Sequence, residues 1–99
     1  MTKMRNGFIV SYDITSPKRW RKVYRAMIGY GDHIQYSVFR CELSEADKAA
    51  MIARLDGLIN HKDDQVLVVD IGPAPGRSDG CVKALGRPCE SKERTAVIV

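Results

Sequence analysis

The stretch Gly7 to Thr15, GFIVSYDIT, is the one place in the chain where an apolar run ends in a carboxylate. Phe8-Ile9-Val10 with Ile14 reads as a short strand buried on both faces, because β-branched and aromatic side chains suit a pleated surface and an unbroken apolar run suits a central strand. Asp13 stands at its far end, the carboxyl end at which side chains of α/β proteins leave the core and meet ligands. Thr15-Ser16-Pro17 then opens a basic helix, with Ser16 as N-cap and Pro17 at the first helical position. A strand, an acid and a basic helix entry thus frame the rest of the chain.

The chain has 99 residues, enough for one domain with a core of two helices on a small sheet and little surplus, so association with a second copy would add to its stability. No segment approaches the roughly 18 consecutive apolar residues of a membrane span. The start MTKMRNG lacks the apolar stretch and small-residue cleavage site of a secretory signal, which predicts a cytoplasmic protein. Three cysteines, Cys41, Cys81 and Cys89, without a C-x-x-C pair argue against a zinc knuckle or a disulfide framework and read as buried or idle thiols. His33 and His61 lie far apart without a second ligand at metal spacing and read as surface or turn residues.

The net charge of +4 is unevenly spread. Residues 1–40 hold eight Lys or Arg against Asp13 and Asp32, a balance of +6; residues 41–70 hold three against seven acids, a balance of −4. One basic half is suited to phosphate, although solvated helix faces share this pattern.

The first helix is predicted from about Pro17 to Tyr30, with Trp20, Val23, Tyr24, Met27 and Ile28 on one buried stripe and Gly29 and Gly31 ending it. Trp20 is assigned to that stripe rather than to base stacking, since helix-spaced aromatics usually pack. Lys18, Lys22 and Arg25 line the opposite side, flanked by Arg19 and Arg21. His33 to Leu43 alternates as one bent strand or two short ones, with a kink or bulge near Ser37. Ser44 caps a second helix whose stripe is Met51, Ile52, Leu55, Leu58 and Ile59, and Asn60 to Asp63 ends it. Gln65 to Ile71, QVLVVDI, reads as the second core strand, stopped by Gly72-Pro73. A turn-rich loop to Gly80, a weak strand over Cys81 to Leu85, a polar linker from Pro88 and a final apolar strand, Ala96 to Val99, complete the chain.

The predicted class is α+β. Two helices on one face of an antiparallel sheet, the ferredoxin-like βαββαβ arrangement with an extra C-terminal strand, bury both stripes most simply. Residues 1–80 would form that domain, and residues 81–99 a strand extension contributing to a homodimer, the terminal strand pairing with the Val82 to Leu85 segment of its own protomer or, the favoured reading, being exchanged between protomers.

These motifs resemble a known family, the smaller of the two universal adaptation proteins of CRISPR systems. The resemblance rests on Tyr12-Asp13-Ile14, Arg19-Trp20-Arg21-Lys22-Val23, Ile34-Gln35-Tyr36-Ser37-Val38-Phe39, Glu42-Leu43-Ser44, Leu58-Ile59-Asn60, Asp64 with Val66-Leu67, Leu85-Gly86-Arg87-Pro88 and Ala96-Val97-Ile98-Val99. His33 stands where the family often has arginine, and Arg40 where an acid often follows the S-V-F motif. The resemblance implies a homodimer that binds double-stranded DNA and joins a larger integrase partner in capturing new spacers. It also implies a magnesium-dependent nuclease on single-stranded RNA or double-stranded DNA.

Magnesium takes oxygen ligands, often one or two carboxylates with waters and a substrate phosphate, and Asp13 is the one carboxylate at the right strand end. A two-fold dimer would bring a second Asp13. Asp13 is therefore the expected Mg²⁺ ligand, with Ser37 and Phe39 beside it as substrate-contacting or positioning residues, and Lys18, Arg19, Arg21, Lys22 and Arg25 as the nucleic-acid surface. Two alternatives stay open. Asp13 would instead cap the turn into the first helix through the Thr15 and Ser16 amides, or the protein would be a non-catalytic DNA-binding bridge of the integration complex. A small-molecule sensor is disfavoured, because no phosphate-cradling glycine loop is present.

Overall fold

The computed structural model describes residues 4–74 and 82–87. Arg5–Asp13 forms β1, Pro17–Ile28 α1, Gly31–Gln35 β2, Val38–Ser44 β3, Glu45–Asp56 α2 and Gln65–Pro73 β4. The strands make one antiparallel sheet in the order β2-β3-β1-β4. With βαββαβ connectivity this is the ferredoxin-like arrangement predicted from the two amphipathic helices.

Alternation along β1 and β3 decides which side chains enter the core. Phe8, Val10 and Tyr12 of β1 and Phe39, Cys41 and Leu43 of β3 are buried, and pairing sets Phe8 opposite Cys41 and Val10 opposite Phe39. Val23, Ala26 and Met27 of α1 and Met51 and Leu55 of α2 complete the core. Ser16 Oγ accepts from the Arg19 amide and Ser44 Oγ from the Asp47 amide, so both predicted N-caps close their helices.

Among the described residues the opposite face of the sheet carries no helix. Ile9, Ser11 and Val38 are half-buried there, and Leu67 and Val69 are 50% and 49% exposed. The reading of Phe8 to Val10 as buried on both faces is therefore corrected: Phe8 and Val10 point into the core and Ile9 to the open face. The reading of QVLVVDI as a core strand is corrected too, since among the described residues β4 lies at the edge of the sheet, with only Val66 and Val68 packed on the core. It also runs past its predicted stop to Pro73. Gly72, at φ 98°, follows a register shift opposite Gly7/Phe8 that skips Ile71.

The segment from His33 to Leu43 is a hairpin, with Tyr36-Ser37 as its turn and an irregularity at Ile34. Gly31 does not end α1; it is the first residue of β2, opposite Cys41. A Cβ at Gly31 would lie 2.5 Å from the Arg40 carbonyl oxygen and closer still to Cys41 Sγ. Because backbone cannot give way as a flexible side chain does, Gly31→Ala should destabilise the fold by about 1–3 kcal/mol, read as a lower urea midpoint at unchanged slope.

Among residues 82–87 no strand forms, so the Val82 to Leu85 portion of the weak strand candidate is not one. The linker from Pro88, the terminal strand Ala96 to Val99 and its exchange, and Cys81 and Cys89 lie outside the described residues. Cys41 is buried, as expected. No helix among the described residues is long and apolar enough to cross a membrane.

Candidate nucleic-acid site at the end of β1

A cleft of about 620 Å³ opens where β1 runs into α1, lined by Tyr12, Asp13, Thr15, Trp20, Arg21, Tyr36 and Ser37 among others. Asp13 is exposed at its wall, on the helix-free side of the sheet opposite Gln65. Among the described residues its carboxylate has no hydrogen-bond or ion-pair partner.

The capping role that the alternative reading gave Asp13 is filled by Asp64, just before β4. The Thr15 amide and hydroxyl donate to Asp64 Oδ1 at 3.0 and 3.2 Å, and the Asn60 amide donates to Oδ2 at 2.8 Å. Arg19 donates through Nε to Oδ2 at 2.8 Å and through Nη2 to Oδ1 at 3.3 Å. The Asp64 side chain is 0% exposed. Arg19 chiefly, helped by the Asn60 and Thr15 donors, holds this carboxyl well below the usual carboxylate range, although desolvation opposes the shift. One side chain thus pins the β1–α1 loop, the first turn of α1 and the approach to β4, and so fixes the loop that starts at Asp13.

The sign of the pH dependence follows. The folded-state pKa of Asp64 lies below its unfolded value, so its contribution is complete above about pH 5 and drains away as pH falls further. Urea midpoints should fall between pH 5 and pH 3, and Asp64→Asn should be less stable at pH 7 with a flatter pH profile.

Ser37 acts as a second tie. Trp20 Nε1 donates to Ser37 Oγ at 2.9 Å, and the Tyr12 amide donates to the Ser37 carbonyl at 3.0 Å, which joins the hairpin turn to α1 and to the end of β1. Phe39, expected as a substrate-contacting or positioning residue, is 0% exposed. It supports the site from below, at 6.2 Å from the Tyr12 ring, 5.8 Å from Tyr24 and 5.0 Å from His33. Tyr12 is buried and its hydroxyl has no partner among the described residues. Desolvation first, then the neighbouring Tyr24 and Tyr36 phenols, push its pKa above the ordinary tyrosine value, so it stays neutral.

Of the expected basic surface, Lys18, Arg21, Lys22 and Arg25 are exposed, and Arg21 lines the cleft. Arg19 departs from that group because its guanidinium is committed to Asp64. Sequence reading counted Asp64 among the residues that carry the family resemblance but assigned it no role. Nor did it anticipate that Tyr36, read as a strand residue, stands 73% exposed on the hairpin turn.

Residues 6–74 match the family model for CRISPR associated protein Cas2. The chain belongs to the Cas2 family. It is 44% identical over 94 residues to a protein of Rhodospirillum rubrum named CRISPR-associated endoribonuclease Cas2 1, an alignment covering 95% of this chain and 91% of the relative. A CRISPR-associated endoribonuclease Cas2 of Geobacter sulfurreducens is 38% identical over 96 residues, covering 97% of this chain and 100% of the relative. Among solved structures, Cas2 of Streptococcus pyogenes superposes with a TM-score of 0.70 at 28% identity, covering 81% of this chain and 99% of that one. A hypothetical protein of Thermus thermophilus gives 0.73 at 26% identity, covering 89% and 99%. This family membership agrees with the resemblance drawn from the Y-D-I and Q-Y-S-V-F motifs, and the Cas2 neighbours share the sheet and helix arrangement described above.

Proposed function

We propose that this Cas2-family chain is a metal-dependent endonuclease of CRISPR adaptation that works as a homodimer, with Asp13 as its magnesium ligand. The observation that carries the reading is the exposed Asp13 carboxylate, without a partner among the described residues, in a cleft shared with Arg21 and Ser37. The relatives' name, endoribonuclease, supports single-stranded RNA as the substrate; duplex DNA is the second substrate the family suggests.

The donor set suits magnesium. Among the described residues no three His, Cys, Asp or Glu side chains cluster as a metal site, which disfavours a closed zinc site, whereas magnesium keeps its waters and needs only one or two carboxylates with a phosphate. When bound, the ion would offset charge on the phosphate and acidify an attacking water. Asp13 would orient the ion, Arg21 would hold the strand's phosphate, and Ser37 would keep the hairpin turn against the cleft. The second Asp13 would come from a partner protomer across the open sheet face, where Ile9, Val38, Leu67 and Val69 offer apolar surface to bury.

The alternative, a non-catalytic DNA-binding bridge to the larger integrase protein, is favoured by Asp13 being the one carboxylate among the described residues that line the cleft and by the exposed Lys18, Lys22 and Arg25 of α1. Replacing these three by Ala should weaken duplex binding regardless of sequence and flatten its salt dependence by up to about three phosphate contacts. An unchanged slope would return this face to solvent. The test of the main reading is cleavage of single-stranded RNA and duplex DNA by the purified chain with magnesium or with chelator, alongside sedimentation for the dimer. Binding without cleavage would favour the bridge.

A further inference from the structure

Three rings stand in a stack at the cleft. Trp20 lies on Tyr24 with centroids 5.2 Å apart and planes 11° apart, and Tyr36 lies on Trp20 at 4.6 Å and 19°. The stack is anchored from inside. Trp20 is held by its hydrogen bond to Ser37, and Tyr24 meets the buried Phe39 and His33 edge to face. Its outer end is different: Tyr36 sits on a two-residue hairpin turn, 73% exposed, with Trp20 as its one ring partner among the described residues. His33 Nε2 lies 3.3 Å from the Tyr36 carbonyl oxygen, a further tie between the turn and β2.

An aromatic ring at the end of a stack, one face covered and the other in water, is a place for one more planar ring to add. The covered face fixes the ring's orientation, so little freedom is lost when the outer face is occupied. The same cleft holds Arg21 and Asp13, so a planar group there lies beside a phosphate-binding cation and the proposed metal ligand.

We propose that the outer face of Tyr36 is a stacking subsite for one unpaired nucleobase, which holds a single strand with its backbone in the Asp13 cleft. Bases within a duplex have both faces covered by their neighbours and cannot use it; unpaired bases of RNA or DNA can. The subsite rests on the nucleic-acid reading of the cleft and deepens it by naming the residue that would take the base, Tyr36, where the strand is single at the point of contact.

The test is binding without cleavage, in chelator, to a short unstructured oligouridylate, to an oligothymidylate of the same length, and to a DNA duplex. Trp20 is the one tryptophan of the chain, so its fluorescence reports on the stack directly. Tyr36→Ala should weaken single-strand binding on the order of tenfold, with no less than about fivefold expected for loss of one stacked base. Duplex affinity and the thermal melt should not change, because the side chain is exposed. Tyr36→Phe should restore binding and the Trp20 response. Loss with both single strands assigns the site to any unpaired base, and loss with oligouridylate alone assigns it to RNA; either supports the subsite. Unchanged single-strand affinity in Tyr36→Ala, or an equal loss for the duplex, would overturn it. Failure of the nuclease reading would show as absent magnesium-dependent cleavage and would leave these affinities untouched.

Discussion

Asp13→Asn is expected to abolish magnesium-dependent cleavage, by at least about a hundredfold, because groups that merely support a metal ligand already cost 10- to 100-fold when removed. Asparagine keeps the size and one oxygen of aspartate but removes the charge on which a hard cation depends. Asp13 is exposed and its carboxylate makes no hydrogen bond or ion pair within the described residues, so its replacement should not disturb the fold. Nothing that pins the surrounding loop involves it: Thr15, Arg19 and Asn60 all converge on Asp64. The thermal melt and the duplex affinity of the variant should therefore match those of the parent. Cleavage that survives the change in carefully purified protein would place the activity elsewhere, and spacer integration that survives it in a reconstituted system would favour the bridge.

Phe39→Ala is expected to cost about 3–5 kcal/mol of folding stability, a large part of what a domain of this size has, because the ring is wholly buried and its removal leaves a cavity. Phe39 lies against Tyr12, Tyr24 and His33 beneath the cleft, so its loss should also loosen the aromatic stack above. Urea denaturation measures the first effect, and Trp20 fluorescence below the melting transition measures the second. Phe39→Leu, which fills more of the space, should recover much of the stability and of the single-strand binding. Full stability in Phe39→Ala combined with lost cleavage would contradict a packing role and return Phe39 to direct contact with substrate.

The helices were legible because their signals are local. Ser16 with Pro17, and Ser44 with an acidic first turn, mark their own starts within a few residues, and the spacing of Val23 and Met27 or of Met51 and Leu55 marks their buried sides. The hairpin was only half legible. Its alternation was visible, but no Asn-Gly or Gly-rich pair marks Tyr36-Ser37 as a turn, and a bent single strand fits the same pattern. The placement of QVLVVDI failed for a related reason: an apolar run shows that a strand is apolar, not which strands lie beside it. Asp13 was legible as a candidate because it ends an apolar strand.

By itself the sequence determined the ferredoxin-like class, the two helix entries and the carboxylate at the end of β1, all of which depend on periodicity and neighbours in the chain. The tertiary structure alone decided that Arg19 pairs with Asp64, that Phe39 lies buried beneath the cleft, and that Tyr36 ends an aromatic stack in water. Asp64 and Thr15 are 49 positions apart and Trp20 and Ser37 are 17 apart. Such partners meet only after the sheet has set its strand order, because hydrogen bonding and ring stacking act over a few ångströms of space and leave no periodic mark along the chain.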